Sequence, residues 1–170
     1  MKWVIAAVVS VLAIGGIIVA VGWLLPQNHV AVRRARFKQR PEVIWETITG
    51  PPTWRPDVES YEMLPEVEGR VQWREVDRRK ESILFERVEA KAPKRLVTRI
   101  ADPKLPFGGT WTQEITPTAE GCMLTITENG EIYNPLFRFM ARFVFGYTAT
   151  LEKYLLALAK KHGEEVLVEG

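Results

Sequence analysis

Cysteine and histidine, on which many small catalytic and metal sites depend, are scarce in this chain. Its 170 residues include one cysteine, Cys122, and two histidines, His29 and His162. A lone cysteine excludes an intramolecular disulfide and a cysteine-rich metal site, so a packing role at the start of a strand is expected for it. Because the histidines lie near the two ends of the soluble part, a histidine-based metal site or catalytic triad is not expected. We therefore predict neither a metal nor a cofactor.

The chain also lacks a large excess of charge of one sign. Lysine and arginine number 23 against 21 acidic residues, which gives a net charge of +2 at pH 7 with both signs interspersed. Without a field of one sign, nothing in the composition indicates binding to nucleic acid. The sequence also lacks internal repeats, a nucleophile beside a base, and a glycine-rich phosphate loop followed by a helix. No enzyme class is therefore indicated by a short motif.

Apolar residues are concentrated at the N-terminus. The run from Trp3 to Leu25 carries no charge and is closed by Pro26, and about 20 such residues span the core of a bilayer. We predict one transmembrane helix. The alternative is a cleaved secretory signal, whose apolar region is normally shorter and is followed by a small-x-small site.

A cluster of basic residues follows this span. Its members are Arg33, Arg34, Arg36, Lys38 and Arg40. Under the positive-inside rule they place the rest of the chain on the cytoplasmic side of a membrane. If they belong to a folded strand, however, their number reports on the solvent face of that strand rather than on topology.

The remainder is predicted to form one soluble domain, residues 27–163, after an anchor at residues 1–26 and before a tail at 164–170. His29 to Gln39 alternates like an edge strand, and Pro41 to Thr49 is typical of a short helix that Gly50 ends. Six further strand-like runs follow, separated mostly by short turns. They are Val58 to Leu64, Arg70 to Asp77, Ser82 to Ala90, Arg95 to Ala101, Thr110 to Thr116 and Met123 to Tyr133. This pattern predicts an antiparallel meander.

The segment from Asn134 to Lys161 is predicted to be a long closing helix of about seven turns. Asn134 can cap it, and Pro135 suits the first helical position. Apolar residues at spacings of three and four mark one face: Leu136, Met140, Phe143, Tyr147, Leu151, Tyr154 and Leu158. That face can cover one side of the sheet. The expected fold class is α+β, an antiparallel sheet wrapped around a long C-terminal helix.

Several stretches resemble one known superfamily. Arg40-Pro41-Glu42-Val43-Ile44-Trp45 and Trp54-Arg55-Pro56-Asp57-Val58 are similar to the opening helix and the following tryptophan of the START-like, or SRPBCC, proteins. Gly109-Thr110-Trp111-Thr112-Gln113-Glu114-Ile115 and Leu124-Thr125-Ile126-Thr127-Glu128 resemble the last two strands of that superfamily, and Asn134-Pro135-Leu136 resembles the entry to its closing helix. These stretches are signatures of a scaffold rather than of catalysis.

The resemblance covers about residues 29 to 161 and implies the helix-grip fold of the polyketide cyclase/dehydrase and lipid-transport proteins. It implies a deep cavity between the sheet and the closing helix, holding a lipid, sterol, quinone, polyketide or similar apolar molecule. Members of the superfamily range from carriers to cyclases. The resemblance alone therefore implies no single activity.

Alternation along the strands and periodicity along the helix select candidate residues for the wall of such a cavity. The apolar candidates are Trp73, Phe85, Trp111, Phe139, Met140, Phe143 and Tyr147, and the polar candidates are Glu75, Gln113 and Glu128. The apolar residues either line a cavity or pack as ordinary core. A carboxylate in an apolar cavity has a raised pKa and can move protons, whereas one paired with an arginine such as Arg87 or Arg99 cannot.

Asp102 to Gly109, with two prolines and a Gly-Gly pair, is the most unusual connection. Five of its residues are candidates for a lid over the cavity: Leu105, Pro106, Phe107, Gly108 and Gly109. The alternative is a stiff surface turn with Phe107 tucked into the core. On the closing helix, Arg138 and Arg142 either form a solvated face or contact lipid head groups or an anionic ligand.

The function predicted from these observations is that of a membrane-anchored binding protein or carrier for a hydrophobic small molecule. One alternative is a cyclase or dehydratase in which Glu75 or Glu128 acts with Tyr133 or Tyr147. A second is a protein-interaction module that grips an apolar segment of a partner. The sequence does not indicate an oligomeric state.

Overall fold

The computed structural model describes the whole chain, residues 1–170. Its helices are α1 (Lys2–Leu24), α2 (Pro41–Thr49), α3 (Pro135–Met140) and α4 (Ala149–Lys161), with a 3-10 turn at Pro52–Trp54 and a π-helical turn at Ala141–Phe145. Its strands are β1 (Asn28–Phe37), β2 (Val58–Val67), β3 (Arg70–Asp77), β4 (Ser82–Lys91), β5 (Arg95–Ile100), β6 (Phe107–Thr118), β7 (Gly121–Ile132) and β8 (Val168–Glu169).

All eight strands form one antiparallel sheet. Its order is β2-β3-β4-β5-β6-β7-β1-β8, so strands β2 to β7 each pair with their sequence neighbours. The predicted meander and the α+β fold class are confirmed. Strand β1 returns to pair with β7, and the end of the chain pairs with β1 through Val168 and Ala35.

Helix α4 covers the part of the sheet formed by β1, β6 and β7. Its residues Leu151, Leu155 and Leu158 are fully buried, as are Leu124 and Ile126 on the facing strand. Burial of one such side chain contributes about 2 kcal/mol, which makes this cluster the main apolar core. Cys122 is buried with it, and burial raises the pKa of its thiol to about 11.

The closing helix is not continuous, contrary to the single helix predicted from Asn134 to Lys161. Asn134 does cap it, because its side-chain oxygen accepts hydrogen bonds from the N–H groups of Leu136 and Phe137. The α-helix then gives way to the π-helical turn and stops at Gly146, whose φ of 75° suits a residue without a side chain. Phe143, which lies in the π-helical turn, is 58% exposed rather than facing the sheet.

The predicted lid connection is shorter than expected. Phe107, Gly108 and Gly109 belong to β6 and pair with Ile132, Glu131 and Gly130 of β7. Gly109 has a φ of 125°, and a side chain there would collide with the carbonyl oxygen of Asn129. A close approach of two strands therefore explains the glycine better than a hinge does.

Arg138 is buried and joins helix α1 to the rest of the molecule, so of the two alternatives given for it the solvated face is wrong. Its Nε donates to the carbonyl of Ile132 at 2.9 Å and its Nη2 to that of Tyr133 at 3.0 Å. Its Nη1 donates to the carbonyls of Leu25 at 3.0 Å and Gly22 at 3.3 Å. Arg138 thus satisfies backbone carbonyls at the C-terminal end of α1, where helices leave such groups unpaired. Arg142, by contrast, is exposed.

Candidate functional site

A cavity of about 590 Å³ lies between the inner face of the sheet and the segment formed by α3, the π-helical turn and α4. The strands supply one wall because their alternate residues point inward. Strand pairing aligns four inward residues in a row across β4, β5, β6 and β7: Arg87, Thr98, Trp111 and Glu128. The volume lies within the range of pockets that hold small organic molecules.

Aromatic rings dominate this cavity. Trp73 and Phe85 stack with centroids 5.6 Å apart, and Trp111 meets Tyr154 edge to face at 5.4 Å. Trp54, the last residue of the 3-10 turn, packs edge to face on the same tyrosine, with ring centroids 5.2 Å apart. Such surfaces bury flat or flexible apolar molecules and leave few polar groups to satisfy.

The structure brings together most of the candidate residues selected from the sequence. Those that line the cavity are Trp73, Glu75, Phe85, Trp111, Gln113, Glu128, Met140 and Tyr147, together with Phe107, Gly108 and Gly109. Those that lie outside its lining are Phe139, Phe143, Leu105 and Pro106. Phe139 and Phe143 instead pack against each other, with ring centroids 4.9 Å apart. Leu105 and Pro106 lie in the loop that precedes β6.

Glu75 is held in an ion pair rather than free. It is 8% exposed, and its Oε2 accepts a hydrogen bond from Nη1 of Arg55 at 2.9 Å, while its Oε1 accepts one from Nε1 of Trp73 at 2.9 Å. Burial works against the charge of Arg55, but its hydrogen bond to Asp57 and the charge of Glu75 outweigh burial and raise its pKa. Both oxygens of Glu75 are engaged, so it is a poor general base. The arginine that pairs with it is Arg55, not Arg87 or Arg99.

Glu128 has a different environment. Its Oε1 lies 3.4 Å from Nε2 of His29, and the imidazole stacks on Tyr147 with centroids 4.2 Å apart. Burial raises the pKa of Glu128 despite a hydrogen bond from Trp111, and burial lowers the pKa of His29. Both shifts favour the neutral forms, so this pair can hold or pass a proton inside the cavity.

His29 was missed in the sequence because it lies at the start of the domain. Strand β1 crosses back to pair with β7, and that register puts His29 opposite Gly130. A side chain at Gly130 would collide with the imidazole, so the glycine provides the space that His29 fills. His29 and Gly130 come together only through the pairing of β1 with β7, which the sequence pattern did not reveal.

Arg87 lines the cavity on β4 with no acceptor in the protein. Its buried Nε makes no hydrogen bond, and its side chain takes part in no ion pair. Arg99 differs, because its Nε lies 3.0 Å from Oε1 of Glu86. Glu86 is 3% exposed and is also bound by Arg70 and Gln72.

No three histidine, cysteine, aspartate or glutamate side chains are arranged to hold a metal ion. The cavity therefore offers a guanidinium, a carboxyl–imidazole pair and aromatic walls as its chemical groups.

Comparison with known proteins identifies the fold. No protein-family model and no curated protein sequence matches this chain. Among solved structures, protein MLL2253 from Mesorhizobium loti is similar with a TM-score of 0.61 and 16% identity, over 79% of this chain and 97% of that one. Norcoclaurine synthase from Thalictrum flavum has a TM-score of 0.59 and 12% identity, over 82% and 90%.

The di-domain ARO/CYC protein StfQ of the steffimycin biosynthetic pathway is also similar, with a TM-score of 0.57 and 17% identity. The match covers 81% of this chain and 52% of StfQ. At such low identities these likenesses concern the fold alone. The chain has a helix-grip fold.

Proposed function

We propose that this protein is a membrane-anchored binding protein or carrier for a hydrophobic small molecule, such as a lipid, sterol, quinone or polyketide-like compound. The observation that carries the proposal is the cavity of about 590 Å³, walled by aromatic and aliphatic side chains between the sheet and the C-terminal helices. An apolar cavity with a few converging polar groups is the usual form of a ligand site. The similar solved structures support the proposal in so far as StfQ, a biosynthetic ARO/CYC protein, has the same fold.

Two features support the membrane anchor. Helix α1 has 23 residues and a mean hydropathy of 2.9 over its most apolar window, which suits a membrane span, although a signal sequence has the same character. Helix α3 packs against the end of α1, where a side chain at Gly22 would collide with the carbonyl of Pro135. Beside this contact lies an exposed set of large apolar residues, here called the apolar patch: Leu136, Phe137, Phe143, Val144 and Phe145. Exposed patches of this kind mark membrane or protein contacts.

The side of the membrane stays a prediction. Arg33 and Arg34 of the basic cluster pair with Glu152 and Glu169 within the folded domain. The number of basic residues is therefore explained by the ion pairs of strand β1 as well as by membrane topology. The prediction of a cytoplasmic location depends on this cluster alone.

Native mass spectrometry tests the binding proposal. The full chain, purified from its expression host in a mild detergent without added lipid, is expected to retain a discrete apolar molecule that solvent extraction identifies. Ala141→Trp, which places an indole in the cavity lining, is expected to abolish retention. Val88→Trp, at an exposed position on β4, is the matched control and is expected to retain it. Equal retention by both variants would mean that the molecule binds elsewhere.

A second candidate function is acid–base catalysis on a bound polyketide-like substrate, and the Glu128–His29 pair favours it. Glu128 and His29 lie in the cavity beside Tyr147, and burial raises the pKa of the carboxyl and lowers that of the imidazole, which suits proton transfer to or from a carbonyl compound. Glu75 fits this role poorly because Arg55 neutralises it. Tyr133 does not line the cavity, and its hydroxyl donates to Glu131.

Isotope exchange separates catalysis from binding. With a long-chain 2,4-diketone as the probe, the full chain is expected to accelerate deuterium exchange at the carbon between the carbonyl groups. Glu128→Gln is expected to abolish this acceleration, whereas Glu75→Gln leaves most of it. Unchanged exchange in Glu128→Gln would eliminate the catalytic role of the pair.

A further inference from the structure

Of the three arginines that line the cavity, Arg87 is the one whose charge is not neutralised within the protein. Arg55 is bound by Asp57 and Glu75, with distances of 2.5 and 2.9 Å. Arg99 is bound by Glu86 at 3.0 Å. Arg87 has neither an ion pair nor a hydrogen bond, and its Nε is inaccessible to solvent.

No carboxylate of the cavity is available to Arg87. Glu75 already accepts one hydrogen bond at each oxygen, from Arg55 and from Trp73. Glu128 lies in the same row as Arg87 but three strands away, which is about 14 Å across the sheet. Its partner on the row is Thr98, and the inward residue two positions before it on β4 is Phe85; neither carries a negative charge.

Arg87 is half-buried, and its buried Nε–H has no acceptor. A polar group that is shielded from water without a hydrogen bond is costly. A guanidinium presents forked N–H donors that match the oxygens of a carboxylate or a phosphate. We infer that Arg87 binds the anionic head group of an amphipathic acid whose apolar part lies against Trp73, Phe85 and Trp111. This inference rests on the proposed function and narrows its ligand to a hydrophobic molecule with one anionic end, a carboxylate or a phosphate ester.

The experiment compares three probes with the same hydrocarbon chain: palmitic acid, hexadecyl phosphate and methyl palmitate. The full chain, in phosphatidylcholine nanodiscs, is equilibrated with each probe, and retention is measured by native mass spectrometry. The wild-type protein is expected to prefer an acid over the ester by at least about tenfold, because a hydrogen bond between two charged groups is stronger than one to a neutral ester. A preference for the phosphate over palmitic acid would identify a phosphate ester as the natural head group, and the reverse a carboxylate.

Arg87→Met is expected to remove the preference for the acids while leaving retention of the ester. Arg78→Met, which removes the same charge from an exposed turn residue, is the control and is expected to keep the preference. Carbon-13 NMR of carboxyl-labelled palmitic acid gives a second measurement, because the bound carboxyl is expected to titrate at a lower pH in the wild type than in Arg87→Met.

Equal retention of acid and ester by the wild type, with no change in Arg87→Met, would overturn the inference and leave the binding proposal standing. Retention of none of the three probes by the wild type would contradict the binding proposal itself. The two failures are therefore distinct.

Discussion

The two inward-facing glutamates show how neighbours decide the chemistry of one residue type. Glu75 accepts hydrogen bonds from Arg55 and Trp73 and is held in a structural ion pair. Glu128 faces His29 without a fixed positive charge, and burial raises its pKa. Alternation along the strands indicated that both point inward, but only the three-dimensional arrangement separates their roles.

Glu128→Gln is predicted to stabilise the protein at neutral pH and to lose that advantage in acid. The pKa of Glu128 is raised in the folded state above its ordinary value of 4.5, so the folded protein holds a proton that the unfolded chain releases. The stability of the wild type therefore falls as pH rises through the interval between these two values, and the reduction persists above it. Glutamine does not titrate and still accepts from Trp111.

Thermal unfolding of both proteins between pH 4 and pH 8 measures this difference. The melting temperature of Glu128→Gln is expected to exceed that of the wild type at pH 8 and to approach it at pH 4. A constant difference across this range would show that Glu128 does not titrate abnormally.

At the scale of elements, periodicity predicted the strands and the covering helix but not the break in that helix. The residues from Leu136 to Leu158 keep a helical spacing, so nothing in their pattern signals the π-helical turn. Gly146 was the one available signal, and a lone glycine inside an apolar helix has several explanations. The order of strands was equally hidden, because the return of β1 to β7 is a long-range pairing. For that reason the inward residues of the meander were identified, whereas His29 was not.

Helix α4 is predicted to stabilise the sheet through one face only. Leu155→Ala is expected to lower the free energy of unfolding by about 2 to 5 kcal/mol, because Leu155 is fully buried and its removal leaves a cavity. Leu156→Ala, at the next position and 51% exposed, is expected to change it by less than about 0.5 kcal/mol. Chemical denaturation in a mild detergent measures both, and similar losses in the two variants would contradict the packing of α4.

At the scale of the whole molecule, the cavity and the apolar patch share one end of the sheet. Helix α1 precedes β1 and α3 follows β7, and Asn28 pairs with Glu131 where these strands meet the helices. Phe137 and Phe145 belong both to the patch and to the cavity lining. A membrane that contains α1 would therefore lie against the same residues that border the cavity.

Spin labelling tests this arrangement. Cys122 is fully buried, so a cysteine introduced at Val144 or Val88 can be labelled selectively. In vesicles of phosphatidylcholine and phosphatidylglycerol, the label at position 144 is expected to collide with oxygen and to be shielded from a water-soluble nickel complex. The label at position 88, toward the opposite end of β4 and β5, is expected to show the reverse. Equal exposure of both labels to nickel would place the patch in water.

The contacts of Arg138 tie the last turn of α1 to the end of β7 through four carbonyl groups. Because these hydrogen bonds connect both elements to one side chain, they restrict rotation of α1 relative to the sheet. If α1 spans a bilayer and tilts to match its thickness, the domain would tilt with it. Bilayer thickness would then set how squarely the cavity faces the lipid surface, so the lipid composition of a compartment could govern access to the site without any change in the site itself.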